Sequence, residues 1–160
     1  MAGTWSPFVA KLGEVNGYQL RQYHNTTGTT FTVRGTGGID DPKGTIEGLN
    51  NGIWHHLAGV WDRDAGNRFL YVNGVLDTGG SIQDGTDTGS MNLATWEYLT
   101  FGSRDINGSV RDFGVGKLDE IRIYNEALSQ VQVQALMVPE PSVSLVAGIL
   151  GIGLLVRRRR

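Results

Sequence analysis

Residues 52–78 read GIWHHLAGVWDRDAGNRFLYVNGVLDT. Two runs rich in aromatic and β-branched residues, GIWHHLAGVWD and NRFLYVNGVLDT, flank a turn from Asp62 to Asn67. Such residues fit a pleated, half-buried surface, so both runs are expected as strands. Asn73-Gly74 inside the second run marks a tight hairpin, because both central positions of that turn need φ > 0. Period-two alternation places Trp54, His56, Ala58 and Val60 on one face of the first strand.

The same grammar extends in both directions. TWSPFVAKLG, GYQLRQYH, TTFTVRGT, YLTFGS and VGKLDEIRIYN are short strand-like runs separated by Gly, Asn and Asp clusters. In LDEIRIYN, Ile121 and Ile123 face opposite to Glu120 and Arg122. GTGG at Gly35–Gly38 follows a strand but opens no helix, so it reads as a turn rather than a phosphate loop. Only ALSQVQVQALM, Ala127 to Met137, departs from this grammar. Ser129 is a suitable N-cap for a short helix with Leu128, Val131, Ala135 and Leu136 on one face. The alternation Val131, Val133, Ala135 suits a strand equally well.

Composition sets the frame. At 160 residues, with 24 glycines and no cysteine, the chain fits one turn-rich domain and a tail, without disulfides or a thiolate metal site. The formal charge of −2 is unevenly spread. Residues 1–137 hold ten basic against fifteen acidic side chains, a net −5, and four arginines close the chain. A mildly acidic body with scattered cations is not the footprint of a nucleic-acid binder.

GIWHHLAGVWD, RFLYVNGVLD and GKLDEIRIYNEALS resemble, in that order, motifs of the LamG-like jellyroll (concanavalin A-like lectin/glucanase) family, over about Trp5 to Leu136. The resemblance implies an all-β fold, a jelly-roll sandwich of two antiparallel sheets. It also implies an opening strand before Phe8. Only a few residues precede Phe8 here, so the domain at residues 1–137 is expected to be truncated at its N-terminus. MAGTWSPFVAKLGEV has no basic n-region and no apolar h-region, so a signal peptide is expected upstream of Met1.

Residues 138–160 form a different object. Val143 to Val156 carry no charge, and as a helix they reach about 21 Å against a hydrocarbon core of ~30 Å. Gly148, Gly151 and Gly153 disfavour a soluble helix, and the run has no polar face. Arg157, Arg158, Arg159 and Arg160 extend the span by snorkelling and hold the C-terminus on the cytoplasmic side. A transmembrane helix at 143–156 is therefore expected. Val138, Pro139, Glu140, Pro141 and Ser142, followed by this helix and the arginines, resemble the PEP-CTERM sorting signal of exported bacterial proteins. The resemblance implies a membrane-anchored precursor, cleaved by an exosortase-type peptidase. It places the body at the cell surface or in the extracellular matrix of a Gram-negative-type bacterium.

His55 and His56 are adjacent on a strand and point to opposite faces, so they do not chelate one ion together; His24 stands alone. Asp119 and Glu120 diverge for the same reason, and a glycosidase needs two carboxyls facing one cleft. A non-catalytic module is expected, with a hydrolase of the same fold or a purely structural module as alternatives. Hard oxygen ligands for calcium occur at Asp40, Asp41, Asp62, Asp64, Asp84, Asp87, Asp105 and Asn107, against the plainer reading of solvated turns. Asp62 and Asp105 are the first calcium candidates. Trp61, Trp96 and Tyr98 are the aromatic candidates for stacking on a polysaccharide; a surface protein is the other ligand class. Asn25-Thr26-Thr27 and Asn107-Gly108-Ser109 match the glycosylation pattern, which carries no meaning in a bacterial protein.

Overall fold

The computed structural model describes residues 5–12, 16–24, 26–35, 38–91 and 98–137. Strands β1 (Pro7–Leu12), β2 (Gly17–Gln22), β3 (Thr29–Gly35) and β4 (Gly38–Asp40) run as an antiparallel meander. Strands β5 (Leu57–Asp62), β6 (Asn67–Val72) and β7 (Val75–Leu76) form a second antiparallel sheet. The short β8 (Thr100–Phe101) joins the first sheet beside β1, giving the order β4-β3-β2-β1-β8. A separate hairpin, β9 (Arg104–Ile106) and β10 (Ser109–Arg111), lies against β1. The helix α1 spans Gln130–Ala135.

The expected turns form where the sequence places them. Asn73 and Gly74 adopt φ of 50° and 70°, which lets β6 fold directly into β7. In the β5–β6 turn the Asp62 carboxylate accepts from the Ala65 N–H at 3.0 Å. Gly66 there has φ 66°, and a Cβ on it would lie 2.3 Å from the Gly85 carbonyl oxygen. Asn107-Gly108 between β9 and β10 repeats the Asn-Gly hairpin, with φ of 53° and 78°.

The three-stranded sheet is apolar on both faces. On one face Leu70 and Trp61 pack against Tyr18, Leu20, Phe31 and Val33 of the five-stranded sheet, with Met91 beside them. Buried Arg68 crosses this layer, donating to the Phe31 carbonyl at 3.1 Å and pairing with Asp87 at 2.9 Å. On the other face Ala58, Val60, Phe69 and Tyr71 receive Val133 and Leu128. Helix α1 therefore forms a third layer. Ser129 caps it through a reciprocal capping box with Gln132, and Gln130 and Gln134 donate to the Gly74 carbonyl at 3.2 and 3.1 Å.

Three expectations need correction. Trp54 is 65% exposed, because β5 begins only at Leu57 and the preceding loop carries the indole off the sheet. The buried helix residue is Val133; Val131 points to solvent, since the entry direction set by Ser129 and Leu128 turns a different face to the sheet. GKLDEIRIYN forms no strand: a φ of 49° at Glu120 interrupts extended backbone, and Leu118, Ile121, Ile123 and Tyr124 stay exposed. The sorting motif, the apolar run and the terminal arginines lie outside the described residues. Among the described residues no helix is long and apolar enough to cross a membrane.

Candidate functional site

The five-stranded sheet has two unlike faces. Tyr18, Leu20, Phe31 and Val33 serve the core. Their neighbours along β2 and β3 must point the other way, and cross-strand partners share a face. Gln19 pairs with Thr32, Arg21 with Thr30, and Arg34 lies across from Gly17. The result is a polar row, of which Gln19, Arg21, Thr30 and Thr32 are nonetheless buried.

Arg21 is the hub of this row. Its guanidinium meets Asp41 at 2.8 Å and sits 4.0 Å from the centre of the Trp5 ring. With its amide oxygen turned toward Arg21, Gln19 accepts from Nε and Nη1, both at 2.8 Å. The Thr32 hydroxyl donates to the other oxygen of Asp41. Tyr23 and His24 hold Trp5 by edge contacts with centroids 5.2 Å away. From β9, Arg104 pairs with Asp112, while its buried Nε has no hydrogen-bond partner among the described residues.

These elements enclose an open cavity of about 400 Å³, lined by Trp5, Arg21, Arg34, Asp41, Arg104 and Ile106. That volume falls in the range of small-molecule sites. Burial lowers the Arg21 pKa and Asp41 partly restores it, whereas the positive charges of Arg104 and Arg34 push it further down. Three guanidinium groups thus converge on one hollow that exposes one carboxylate and one indole. Such a site holds oxygen-rich ligands by hydrogen bonds and supports the ring of a ligand on an apolar wall.

The structure does not bring the sequence candidates together. Asp62 caps its turn on the second sheet, whereas Asp105 on β9 is 2% exposed and accepts from the Tyr98 N–H at 3.1 Å. Among the described residues no three His, Cys, Asp or Glu side chains gather as a metal site. Asp84 is engaged by Thr86, which holds its carboxyl below the usual range, and Asp87 by Arg68. Of the stacking candidates, Trp61 is turned into the core and donates to the Asp87 carbonyl at 3.0 Å, and Tyr98 is 70% exposed. Trp96 lies outside the described residues.

The histidines and the paired carboxylates are also accounted for. His55 sits between Asn51 and Asn73, with contacts of 3.0 and 3.2 Å. Burial, helped by Arg122, lowers the pKa of half-buried His56. Asp119 and Glu120 lie on the exposed segment before α1, with Glu120 paired to Arg122 at 3.0 Å. Trp5, Arg21, Arg34 and Arg104 were not singled out from sequence. Their signal was the alternation of Gln19 with Arg21, and of Thr30, Thr32 and Arg34, along strands whose intervening residues are apolar.

A family model described as the concanavalin A-like lectin/glucanases superfamily (Laminin_G_3) matches residues 2–134. Among solved structures, the chain is similar to the CBM40 of the Ruminococcus gnavus IT-sialidase, bound to α2,3-sialyllactose. The TM-score is 0.62 at 16% identity, over 86% of this chain and 77% of that one. A looser likeness, TM-score 0.43 at 20% identity, relates it to an S-layer domain-containing protein from Clostridium thermocellum, over 85% of this chain and 64% of that one. No curated protein matches the chain.

Proposed function

The chain belongs to the concanavalin A-like lectin/glucanase superfamily, and from that premise we propose that it is a non-catalytic carbohydrate-binding module of an exported bacterial protein. The observation that carries this reading is the cavity on the polar face of the five-stranded sheet, with Trp5 as apolar wall and Arg21, Arg34 and Arg104 as donors. Small-molecule sites combine an apolar or aromatic lining with a few convergent polar groups, and a sugar, with its ring faces and hydroxyls, suits that combination. The CBM40 neighbour, described with a bound oligosaccharide, makes glycans the ligand class to test first.

The carboxylates of the cavity support binding without hydrolysis. Glycoside hydrolysis needs two carboxyl groups, roughly 5–9.5 Å apart, flanking one bond. Asp41 is the one carboxylate among the described residues lining the cavity, and it is committed to Arg21 and Thr32. In this proposal residues 1–137 form the binding domain. Residues 138–160 are a PEP-CTERM-type signal that anchors the precursor until an exosortase-type peptidase releases it to the surface or matrix. The test is retention of the full chain on an immobilised polysaccharide panel, with reducing ends assayed in parallel. Retention without new reducing ends is expected; released reducing sugar would show a hydrolase instead.

A further inference from the structure

We propose that the cavity selects a neutral sugar, with Asp41 as the specificity-determining residue that accepts a hydroxyl group of the ligand. This inference rests on the glycan-binding reading and names the class of sugar.

The bonding capacity left open at Asp41 carries it. This carboxylate lines the cavity with its side chain 23% exposed. Its charge is committed to Arg21, whose guanidinium meets one carboxylate oxygen at 2.8 Å, and the Thr32 hydroxyl donates to the other oxygen. A carboxylate offers about four lone-pair positions, so these two bonds leave about two open among the described residues. An acceptor partly withdrawn from water gains most from a ligand that donates a hydrogen.

The guanidinium groups around Asp41 are already engaged. Gln19 takes the remaining forked edge of Arg21, Arg104 pairs with Asp112, and Arg34 has a partner of its own. None of the three is a bare cation that waits for an anion. A guanidinium carries five N–H groups, so paired arginines still offer donors to a ligand oxygen. Arg104 Nε has no hydrogen-bond partner among the described residues. The hollow thus sets an open acceptor among donors. A sugar hydroxyl serves both, giving its hydrogen to Asp41 and taking one from an N–H through its lone pairs. Carboxylate and sulfate ester groups only accept. Placed beside Asp41, such a group meets fixed negative charge and leaves the open lone pairs unsatisfied. Trp5 and Ile106 line the same hollow and offer apolar surface to the carbon face of the sugar ring.

The test is calorimetry of the full chain against matched neutral and acidic sugars. Galacto- and galacturono-oligosaccharides of equal length differ at one ring substituent, and lactose is set against its 6-sulfate and against sialyllactose. At least one neutral sugar should bind about tenfold or more tightly than its acidic counterpart. Asp41→Asn exchanges an acceptor oxygen for an N–H donor and removes the counter-ion of Arg21. It should weaken the neutral sugar about tenfold or more and raise affinity for the acidic counterpart, a gain that misfolding does not produce. Asp41→Glu keeps the charge but lengthens the side chain, and should weaken the neutral sugar without admitting the acidic one. Melting temperature reports whether each variant is folded; if Asp41→Asn is not, Asp41→Glu carries the test. Equal or tighter binding of the acidic sugars by the unaltered chain overturns the inference while leaving glycan binding intact. A neutral preference that both Asp41 variants retain overturns the assignment to Asp41. Binding of no sugar in the panel overturns both readings.

Discussion

The Asp77 carboxylate, 1% exposed, accepts from the Thr45 backbone N–H at 2.9 Å across 32 residues of sequence. The Thr45 hydroxyl and the Ile46 N–H reach it at 2.9 Å, and the Gly80 N–H at 3.2 Å. One side chain after β7 thus ties down the loop that follows β4. Burial alone would raise this carboxyl, but the hydrogen bonds from Thr45, Ile46 and Gly80 outweigh it and hold the pKa below the ordinary value. A depressed folded pKa adds stability that is full above the unfolded value near ~3.9 and is lost as pH falls through the folded value. Acid unfolding of Asp77→Asn should therefore lack that component. At neutral pH the variant should lose about 2–3 kcal/mol in denaturant titrations, because an amide cannot accept all four bonds as well.

Gly59 and Phe31 set the spacing of the two sheets. A Cβ on Gly59 would lie 2.3 Å from carbons of the Phe31 ring, so the ring packs on bare backbone. Gly59→Ala should cost about 1–3 kcal/mol by overpacking. Combining it with Phe31→Leu should cost less than the sum of the two single changes, measured as a double-mutant cycle.

The two Asn-Gly hairpins should respond differently. Gly74 and Gly108 both have positive φ, so alanine costs about 1 kcal/mol at either from backbone strain. Nothing lies within 4 Å of a Cβ on Gly108, whereas one on Gly74 would meet Gln134 at 2.9 Å and Met137 at 3.0 Å. Gly74→Ala should therefore be the more destabilising and should also reduce helical signal by displacing α1. Equal losses would show that α1 contributes nothing at that contact.

Much of the second sheet could be read in advance, because its information is local. Asn73-Gly74 and the Asp62–Asn67 turn fix the hairpins by backbone chemistry, and Ser129 with Gln132 fixes the helix start. The site could not be read the same way. Trp5, Arg21, Arg34 and Arg104 come from four separated stretches, and the β2–β3 register and the approach of β9 to β1 decide which of them meet. An arginine on a strand ordinarily reads as a solvated face. The GKLDEIRIYN segment misled for the opposite reason: its alternation suits a strand, but the positive φ at Glu120 breaks it.

The tail prediction follows from sequence and lies outside the described residues. Glu140→Ala should impair cleavage near Pro139–Ser142 while leaving membrane insertion intact, and neutral replacements of Arg157–Arg160 should loosen orientation instead. Mass spectrometry of the mature protein from an exosortase-bearing host, with a signal peptide supplied, reads the outcome. A mature chain still ending in four arginines would leave a plain membrane anchor.

Chemical-shift mapping of the isotopically labelled chain, titrated with the tightest-binding oligosaccharide of the polysaccharide panel, tests the central claim most directly. The account predicts saturable shifts concentrated at the Trp5 indole, the Arg21, Arg34 and Arg104 guanidinium groups, and the Asp41 and Ile106 amides. The Trp61 indole, closed in the core, should stay still. Shifts centred on Tyr98 or on the exposed Ile121–Tyr124 segment, with the arginine cavity silent, would contradict it.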